Sequence, residues 1–241
     1  MITLAIETAT QVVGVALAGD DGILGSVEIN RGRRHGEVLA PAIEFVCRHA
    51  QVAVGEIGAI GVDVGPGLFT GMRVGIATAK TIAQALQVAV VGVSSLDLLA
   101  HQLRFGAKVI ASVIDARKGE VFYSFYVPDG VGPEGCVPHR GGPGGGGVRR
   151  LTEPKAGSVA ELNADVLARG QDVVAVGDGA WRYRDDIEPS VEIAALAHPS
   201  AIALVHLARA QAARAGFDPS PDLVQPMYLR APDAQINWAR R

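Results

Sequence analysis

The segment GPGLFTGMRVG (residues 65–75) places glycines at 65, 67, 71 and 75, directly after the apolar run IGAIGVDV at 57–64. A glycine turn that opens a helix can cradle a phosphate on its backbone N–H groups. It can also let two stretches of backbone approach more closely than a side chain would allow. A Walker loop ends in Gly-Lys-Ser/Thr, whereas Gly71 is followed by Met72 and Arg73. The dinucleotide fingerprint needs Gly-x-Gly-x-x-Gly, and Gly65, Gly67 and Gly71 are spaced one residue too widely. A protein-kinase loop lies between strands, and this one leads into a helix. Generic anion binding at the helix N-terminus and close backbone packing remain.

Metal chemistry finds little support. The six histidines, at 35, 49, 101, 139, 198 and 206, form no short-range ligand pair. His198 and His206 share one helix face but stand eight residues apart, too far for a chelate. Cys47 and Cys136 lack metal-type spacing, and an unsupported cysteine pair fits a reducing cytoplasm. The expectation is no metal and a cytoplasmic protein. MITLAIETAT carries no basic segment or cleavage site, and no apolar run approaches the ~20 residues that cross a bilayer. The formal net charge of -3 argues against a chain that grips nucleic acid by itself. The clusters Arg31, Arg33, Arg34; Arg149, Arg150; and Arg240, Arg241 read as solvated surface.

The elements that position these residues alternate. ITLAIE, VVGVALA and ILGSVEI predict three strands, with GDDG (19–22) as a hairpin turn. In HGEVLAPAIEFVCRHA (35–50) the apolar residues recur at helical spacing, with Pro41 starting or kinking the regular helix. His35 falls on its apolar side and reads as a satisfied core or interface histidine. The run 57–64 predicts a strand buried on both faces. A helix over about 69–86, a strand VAVVGV (88–93) and a short helix behind Ser94 follow.

The second half repeats the order. VIASVID (109–115) and EVFYSFYV (120–127) flank the ARKG turn, and VRRLTE (148–153) supplies a third strand. Ser158 and Glu161 form a capping box, DVVAVG (172–177) is another strand, and an alanine-rich helix spans about 199–215. The βββαβα order, met twice, predicts an α/β protein of two actin-like, ribonuclease H-like (ASKHA) lobes, the second reduced. The expected division is 1–105 for the first lobe and 106–241 for the second. A mobile loop is expected at 129–150, where nine glycines and three prolines occupy 22 positions. Cys136 and His139 inside it read as incidental. The C-terminal helix and tail can pack back on the first lobe.

On the 69–86 helix, Arg73, Lys80, Gln84 and Gln87 form one narrow polar stripe. Opposite lie Gly71, Gly75, Ile82 and Leu86, flanked by Thr78 and Ala79. Helix-interior glycine costs about 1 kcal/mol relative to alanine, so this smooth face serves close approach, either to a partner or to the chain's own sheet.

IxLAIETxT, RHGEVLAPAI, VDVGPGLFTGMRVGIATAK, VSSLDLLA, IDARKGEVFYSFY, VGDGA and PMYLR, in this order, resemble the TsaB (YeaZ) family of tRNA threonylcarbamoyladenosine biosynthesis proteins. The resemblance implies the actin-like lobes and a non-catalytic subunit. That subunit acts by binding and activating a paralogue, TsaD, which transfers a threonylcarbamoyl group to the adenosine beside the tRNA anticodon, with a small ATPase, TsaE. It implies pairing through the helices at 35–50 and 69–86, here Leu39, Ile43, Gly71, Met72, Gly75, Thr78, Ala79 and Ile82, with tRNA met only through the complex and no membrane. Without the paralogue the same surface is available for a homodimer. On this reading Gly75→Leu weakens pairing and leaves the fold intact.

The resemblance also implies that the catalytic paralogue carries Asn-His-x-x-x-His after the strand equivalent to VAVVGV. Ser95 and Leu99 stand at the histidine positions, and leucine has no lone pair to give a metal. No catalytic residue is expected. Glu7, Thr8 and Thr10 match the place where actin-like lobes hold phosphate, with Glu where the family usually has Asp. They read as a vestigial, weak ATP or ADP site or as a structural turn, with nucleotide at the joint of the complex as the alternative. Asp115 and Arg117 read as cleft-facing or as a salt-bridged turn. The competing functions are an ATP-dependent phosphotransferase of actin-like fold, which lacks a convincing general base, and a glycoprotease-like metallohydrolase, which lacks the histidine pair.

Overall fold

A computed structural model describes residues 1–30, 32, 34–129, 147–215 and 224–230. The first sheet contains β1 (Ile2–Glu7), β2 (Val12–Gly19), β3 (Gly22–Asn30), β4 (Ile57–Asp63) and β5 (Ala89–Val93), in the order β3-β2-β1-β4-β5. β1, β4 and β5 run parallel, while β2 and β3 add antiparallel through the hairpin. β1 and β4 are buried nearly throughout, because helices cover both faces of the sheet. Leu4 and Ile6 face α1 (His35–His49) and α2 (Phe69–Leu86), joining Leu39, Ile43, Val46, Met72 and Ile76 in one core. Ala5 points the other way, as strand alternation requires. β3 is the edge strand and alternates in exposure, with Val27 and Ile29 turned inward.

The opposite face of this sheet is covered by α6 (Ala201–Ala215). Ala5, Ala16 and Ala18 meet Ala201, Leu204, Val205 and Ala208, so small side chains on both sides bring the helix close. A β-carbon on Gly61 would stand 2.8 Å from that of Ala208. Although α6 belongs by chain order to the second half, it completes the first lobe's core. The segment 224–230 returns to the same lobe, with Met227 N–H donating to the Val64 carbonyl at 2.7 Å and Val224 entering the core.

The second sheet follows β11-β10-β6-β7-β8 and contains β6 (Val109–Arg117), β7 (Glu120–Pro128), β8 (Val148–Arg150), β10 (Val173–Val176) and β11 (Glu192–Ile193), with β9 (Lys155–Ser158) also on β7. The strand expected over 148–153 is therefore broken. β8 pairs with Tyr126–Pro128 and β9 with Glu120–Tyr123. Between them Thr152 takes over, accepting from Phe125 N–H at 3.0 Å on its hydroxyl and from the Ser124 hydroxyl at 2.6 Å on its carbonyl. Pro154 has no N–H for a ladder. Thus Val148–Arg150, placed in the loop 129–150 by composition, are strand, while 130–146 with Cys136 and His139 lie outside the described residues. α4 (Val159–Arg169) starts at the expected Ser158/Glu161 capping box, and α5 (Asp178–Arg182) is a short helix that the sequence patterns did not signal.

α3 (Ser95–Gln102) joins the lobes, capped by the Ser94 hydroxyl, which accepts from Leu96 N–H at 3.2 Å. Leu96, Leu99 and Ala100 pack with Ile110, Ile114, Phe122, Tyr126 and Val176 of the second sheet. Asp97 Oδ1 accepts from the Tyr126 hydroxyl at 2.8 Å, and Arg150 Nη2 donates to both carboxylate oxygens at 2.7 Å. Removing one member of a partly buried charge cluster strands the others. Asp97→Ala is therefore expected to lower the stability of the chain by about 2 kcal/mol, measured as a reduced urea midpoint with an unchanged slope. Glu153→Ala, at an exposed carboxylate 3.8 Å from the same arginine, is expected to change little.

Candidate functional site

The glycine loop and the start of α2 sit directly on the turn that follows β1. Leu68 N–H donates to the Ala9 carbonyl at 2.6 Å, and the Thr8 hydroxyl donates to the Gly71 carbonyl at 2.9 Å. A β-carbon built at Gly67 would fall on the Ala9 carbonyl, one at Gly71 on the Thr8 carbonyl, and one at Gly75 on the Thr8 hydroxyl. At Gly67 and Gly71 no other residue type fits without moving the backbone, and at Gly75 the Thr8 side chain would have to shift. α1 reaches the same turn, since His35, buried, donates from Nε2 to the Thr10 carbonyl at 2.7 Å. It is a satisfied core histidine.

This packing corrects two expectations. The smooth face of α2 meets the chain's own sheet. Leu39, Ile43, Gly71, Met72, Gly75 and Ala79 are all buried inside this chain, and of the eight expected interface residues only Thr78 and Ile82 are partly exposed. Helical spacing shows which residues share a face and leaves open what that face meets. The second correction concerns Glu7, Thr8 and Thr10, which are 0%, 0% and 2% exposed. Thr10 Oγ1 accepts from Val12 N–H at 3.4 Å, and Glu7 Oε1 from Ala9 and Thr10 N–H at 2.8 and 3.3 Å. The glycine loop packs on the Thr8 and Ala9 carbonyls, and the hydroxyls of the turn are engaged within the protein.

The outward surface of the helix pair is formed by other residues. On α1 these are Ala40, Pro41, Glu44, Phe45 and Arg48, with Phe45 49% exposed against His49. On α2 they are Thr70, Ala77, Thr81 and Ala85, with Val74 and Thr78 partly exposed. Arg48 and Glu44 pair at 2.6 Å along α1. The central part of the α2 surface therefore presents small side chains at consecutive turns.

Between the lobes opens a cleft of about 390 Å³, a size at the small end of ligand pockets. Leu68, Met72, Phe122, Met227 and Leu229 make it apolar, while Asp115, Arg117 and Arg230 bring charge. Asp115 is held by Arg117 at 3.1 Å and Arg182 at 3.5 Å, and accepts from the Tyr183 hydroxyl at 3.3 Å. Both readings of Asp115 and Arg117 meet here, because the salt-bridged turn is also a wall of the cleft. Asp178 Oδ1 accepts from Asp115 N–H at 3.0 Å, and burial raises the Asp178 carboxyl above its ordinary range. Arg230 donates to the Ala116 carbonyl at 3.2 Å and to Glu120 at 3.0 Å. At the rim Phe69 stacks on Tyr228 with ring centres 5.6 Å apart, and the Arg73 guanidinium lies 3.9 Å over Phe69. PMYLR is thus a wall of the cleft, which its distance in sequence concealed.

The remaining candidates are dispersed. Ser95 is fully buried and donates to Asp63 Oδ1 at 2.6 Å, while Leu99 is fully buried in the inter-lobe core. His101 faces His206 at 6.3 Å between ring centres. Burial, with Arg104 and His206 nearby, holds its imidazole down at about 4. Among the described residues no group of three His, Cys, Asp or Glu side chains converges as metal ligands, and no helix is long and apolar enough to cross a membrane. Sequence reasoning missed Asp63, the neighbour of Glu7; its signal was a lone acid at the end of an apolar strand.

Residues 22–238 match the family model for TsaD: tRNA N6-adenosine threonylcarbamoyltransferase. Among curated proteins, the tRNA threonylcarbamoyladenosine biosynthesis protein TsaB of Bacillus subtilis (strain 168) is 32% identical over 126 residues, which is 52% of this chain and 55% of that protein. The TsaB protein of Escherichia coli (strain K12) is 34% identical over 131 residues, or 54% and 56% of the two chains. The chain thus spans about half the length of these curated relatives. The solved structure of YeaZ from Pseudomonas aeruginosa superimposes with a TM-score of 0.76 at 28% identity, covering 95% of this chain and 99% of that one. The two-lobed α/β architecture is shared over nearly the whole chain.

The seat of α2 makes a direct prediction. Gly75→Ala is expected to destabilise the fold by at least about 2 kcal/mol, because the added carbon meets the Thr8 hydroxyl. Gly36→Ala, in α1 with open space around it, is expected to be neutral or stabilising by up to about 1 kcal/mol. Denaturant melts of the two variants check the contrast, which reverses the expectation that Gly75→Leu spares the fold.

Proposed function

The chain belongs to the TsaD: tRNA N6-adenosine threonylcarbamoyltransferase family, with TsaB and YeaZ proteins as relatives, and from that premise we propose that it is a non-catalytic subunit in the formation of threonylcarbamoyladenosine in tRNA. In this reading it docks a TsaD paralogue, which performs the transfer, while TsaE joins the assembly. The protein acts in the cytoplasm and meets tRNA through the complex.

The observation that carries the reading is the state of the two positions that the resemblance aligns with the paralogue's histidines. Ser95 has its hydroxyl bonded to Asp63 at 2.6 Å, and Leu99 is 0% exposed between the lobes. Neither can present a lone pair to a metal or substrate in the cleft. The charged groups of the cleft support it too, since Asp115 is matched by Arg117 and Arg182 and Glu120 by Arg230. The proposal assigns nucleotide to the joint with other subunits, because the β1 turn lies sealed under the glycine loop.

For docking, the proposal uses the outward side of α1 and α2. Small side chains at Ala77, Thr81 and Ala85 permit another helix to approach closely, and Phe45 on α1 supplies an exposed aromatic anchor. Without the paralogue this face is available to a second copy.

Reconstitution tests the proposal. The chain with TsaD, TsaE, ATP, tRNA and the adenylate-forming enzyme is expected to yield modified tRNA, and omission of the chain is expected to abolish it. Threonylcarbamoyl transfer by this chain alone would overturn the non-catalytic assignment. Ala77→Arg combined with Thr81→Glu is expected to weaken binding to the paralogue at least tenfold while leaving the melting temperature of the isolated chain within a few degrees. Unchanged affinity in calorimetry would move the docking face elsewhere.

A further inference from the structure

Glu7 and Asp63 close the adjacent parallel strands β1 and β4, one step beyond the paired residues Ile6 and Val62. In-register neighbours on parallel strands project to the same face, here the face covered by α3 and the N-terminal end of α6. Both carboxyls are 0% exposed. Each has one oxygen doubly engaged. Glu7 Oε1 accepts from Ala9 and Thr10 N–H, and Asp63 Oδ1 accepts from Gly65 N–H at 2.8 Å and the Ser95 hydroxyl at 2.6 Å. The other oxygens, Glu7 Oε2 and Asp63 Oδ2, are buried and have no partner.

Two ionised carboxylates cannot stand side by side away from water. The groups that press on them are also acidic: Glu28, on β3 opposite Gly14, and Asp97 of α3. Ser200 and Ala201 at the start of α6 carry no charge, and His35 of α1 is bonded to the Thr10 carbonyl on the far side of the turn. We propose that Glu7 and Asp63 share a proton through these two oxygens, the carboxylic acid of one donating to the carboxylate of the other, and that this bond latches the β1 turn to the glycine loop. One proton satisfies both orphaned atoms at once and leaves a single negative charge, which the four donors on Oε1 and Oδ1 stabilise. The latch joins the peptide that receives Gly67, Gly71 and Gly75 to the strand end from which the loop departs.

The pH behaviour follows. Burial and the neighbouring charge raise Glu7 well above the ordinary carboxylate range, and burial raises Asp63 to about 7. These are acids with raised folded-state values, so their contribution to stability is complete below the unfolded-state values of about 4. It is lost as pH rises through the folded-state values. The pair titrates as a unit, both of its steps raised above the ordinary carboxylate range. When the second proton leaves, two charges face one another across the ends of β1 and β4, and the loop loosens.

Carbon-13 NMR of the side-chain carboxyls in the full chain, followed against pH, tests this directly. The expected result is that Glu7 and Asp63 titrate together far above the other carboxylates, and that the unfolding constant rises about tenfold per pH unit between about 4 and 7 for each proton retained in the fold. Asp63→Asn keeps the acceptor for Gly65 and Ser95 and offers an amide N–H to Glu7 in place of the proton. It is expected to fold and to remove one tenfold-per-unit step from that profile. Titration of both carboxyls near ordinary values overturns the proposal. So does an unchanged pH profile in a folded Asp63→Asn variant, or carboxyl shifts that follow added Mg²⁺ at constant pH. Should the variant fail to fold, the wild-type NMR titration still decides.

Discussion

The contact on which the rest of the structure depends is the seating of the glycine loop and the first turns of α2 on the peptide Thr8–Ala9. Backbone lies against backbone there at Gly67 and Gly71, where the absence of a β-carbon makes it possible, and at Gly75 the same absence leaves room for the Thr8 side chain. That approach fixes the position of α2 on the first sheet. It also settles which side of the helix faces water, because a helix has one radial position per residue. The outward residues Ala77, Thr81 and Ala85 are exposed because the inward ones are held by Thr8. The docking proposed for this surface is thus a consequence of packing three residues inside it.

The same contact buries the end of β1. A strand end that carries an acid and two hydroxyls has the right chemistry for phosphate in principle, yet chemistry requires access. Thr8 and Thr10 have their hydroxyls bonded within the protein, and the glycine loop packs directly on the Thr8 and Ala9 carbonyls. Glu7 and Asp63 then lie behind the seal with two acceptor oxygens lacking donors. Burial of an unmatched acceptor is unfavourable by about 1–3 kcal/mol, which is why a shared proton is the natural complement.

The two lobes are joined by more than a hinge. α3 carries apolar residues into the second sheet's core and offers Asp97 to Tyr126 and Arg150, while α6, late in the chain, caps the first sheet. Among the described residues the chain therefore crosses between lobes at least twice, and the cleft between them is walled by segments far apart in sequence: the glycine loop, the β6–β7 turn and residues 227–230. Arg230 meets Glu120 across these walls and Arg117 meets Asp115 within one of them, so the charged groups of an otherwise largely apolar cleft are internally paired. Such a cleft fits a protein whose proposed work is assembly.

Much of the architecture was legible in the letters, because hydrophobic period and turn chemistry are local. The hairpin at GDDG, the doubly buried strand at 57–64, the Ser94 cap and the Ser158/Glu161 box all follow from residues within a few positions of one another. The glycines' small-surface role was legible too, but the object they meet was not, since Thr8 lies 63 residues from Gly71. The break between β8 and β9 depended on Thr152 bonding to β7, and the wall of the cleft on a tail that returns across the whole chain. Sequence by itself determined most of the elements, their order and the resemblance, while α5, β9 and β11 emerged only in the fold. Only tertiary structure decided which faces were inside and that Glu7 has Asp63 for a neighbour, because burial and charge proximity are properties of space, set by contacts that span scores of residues.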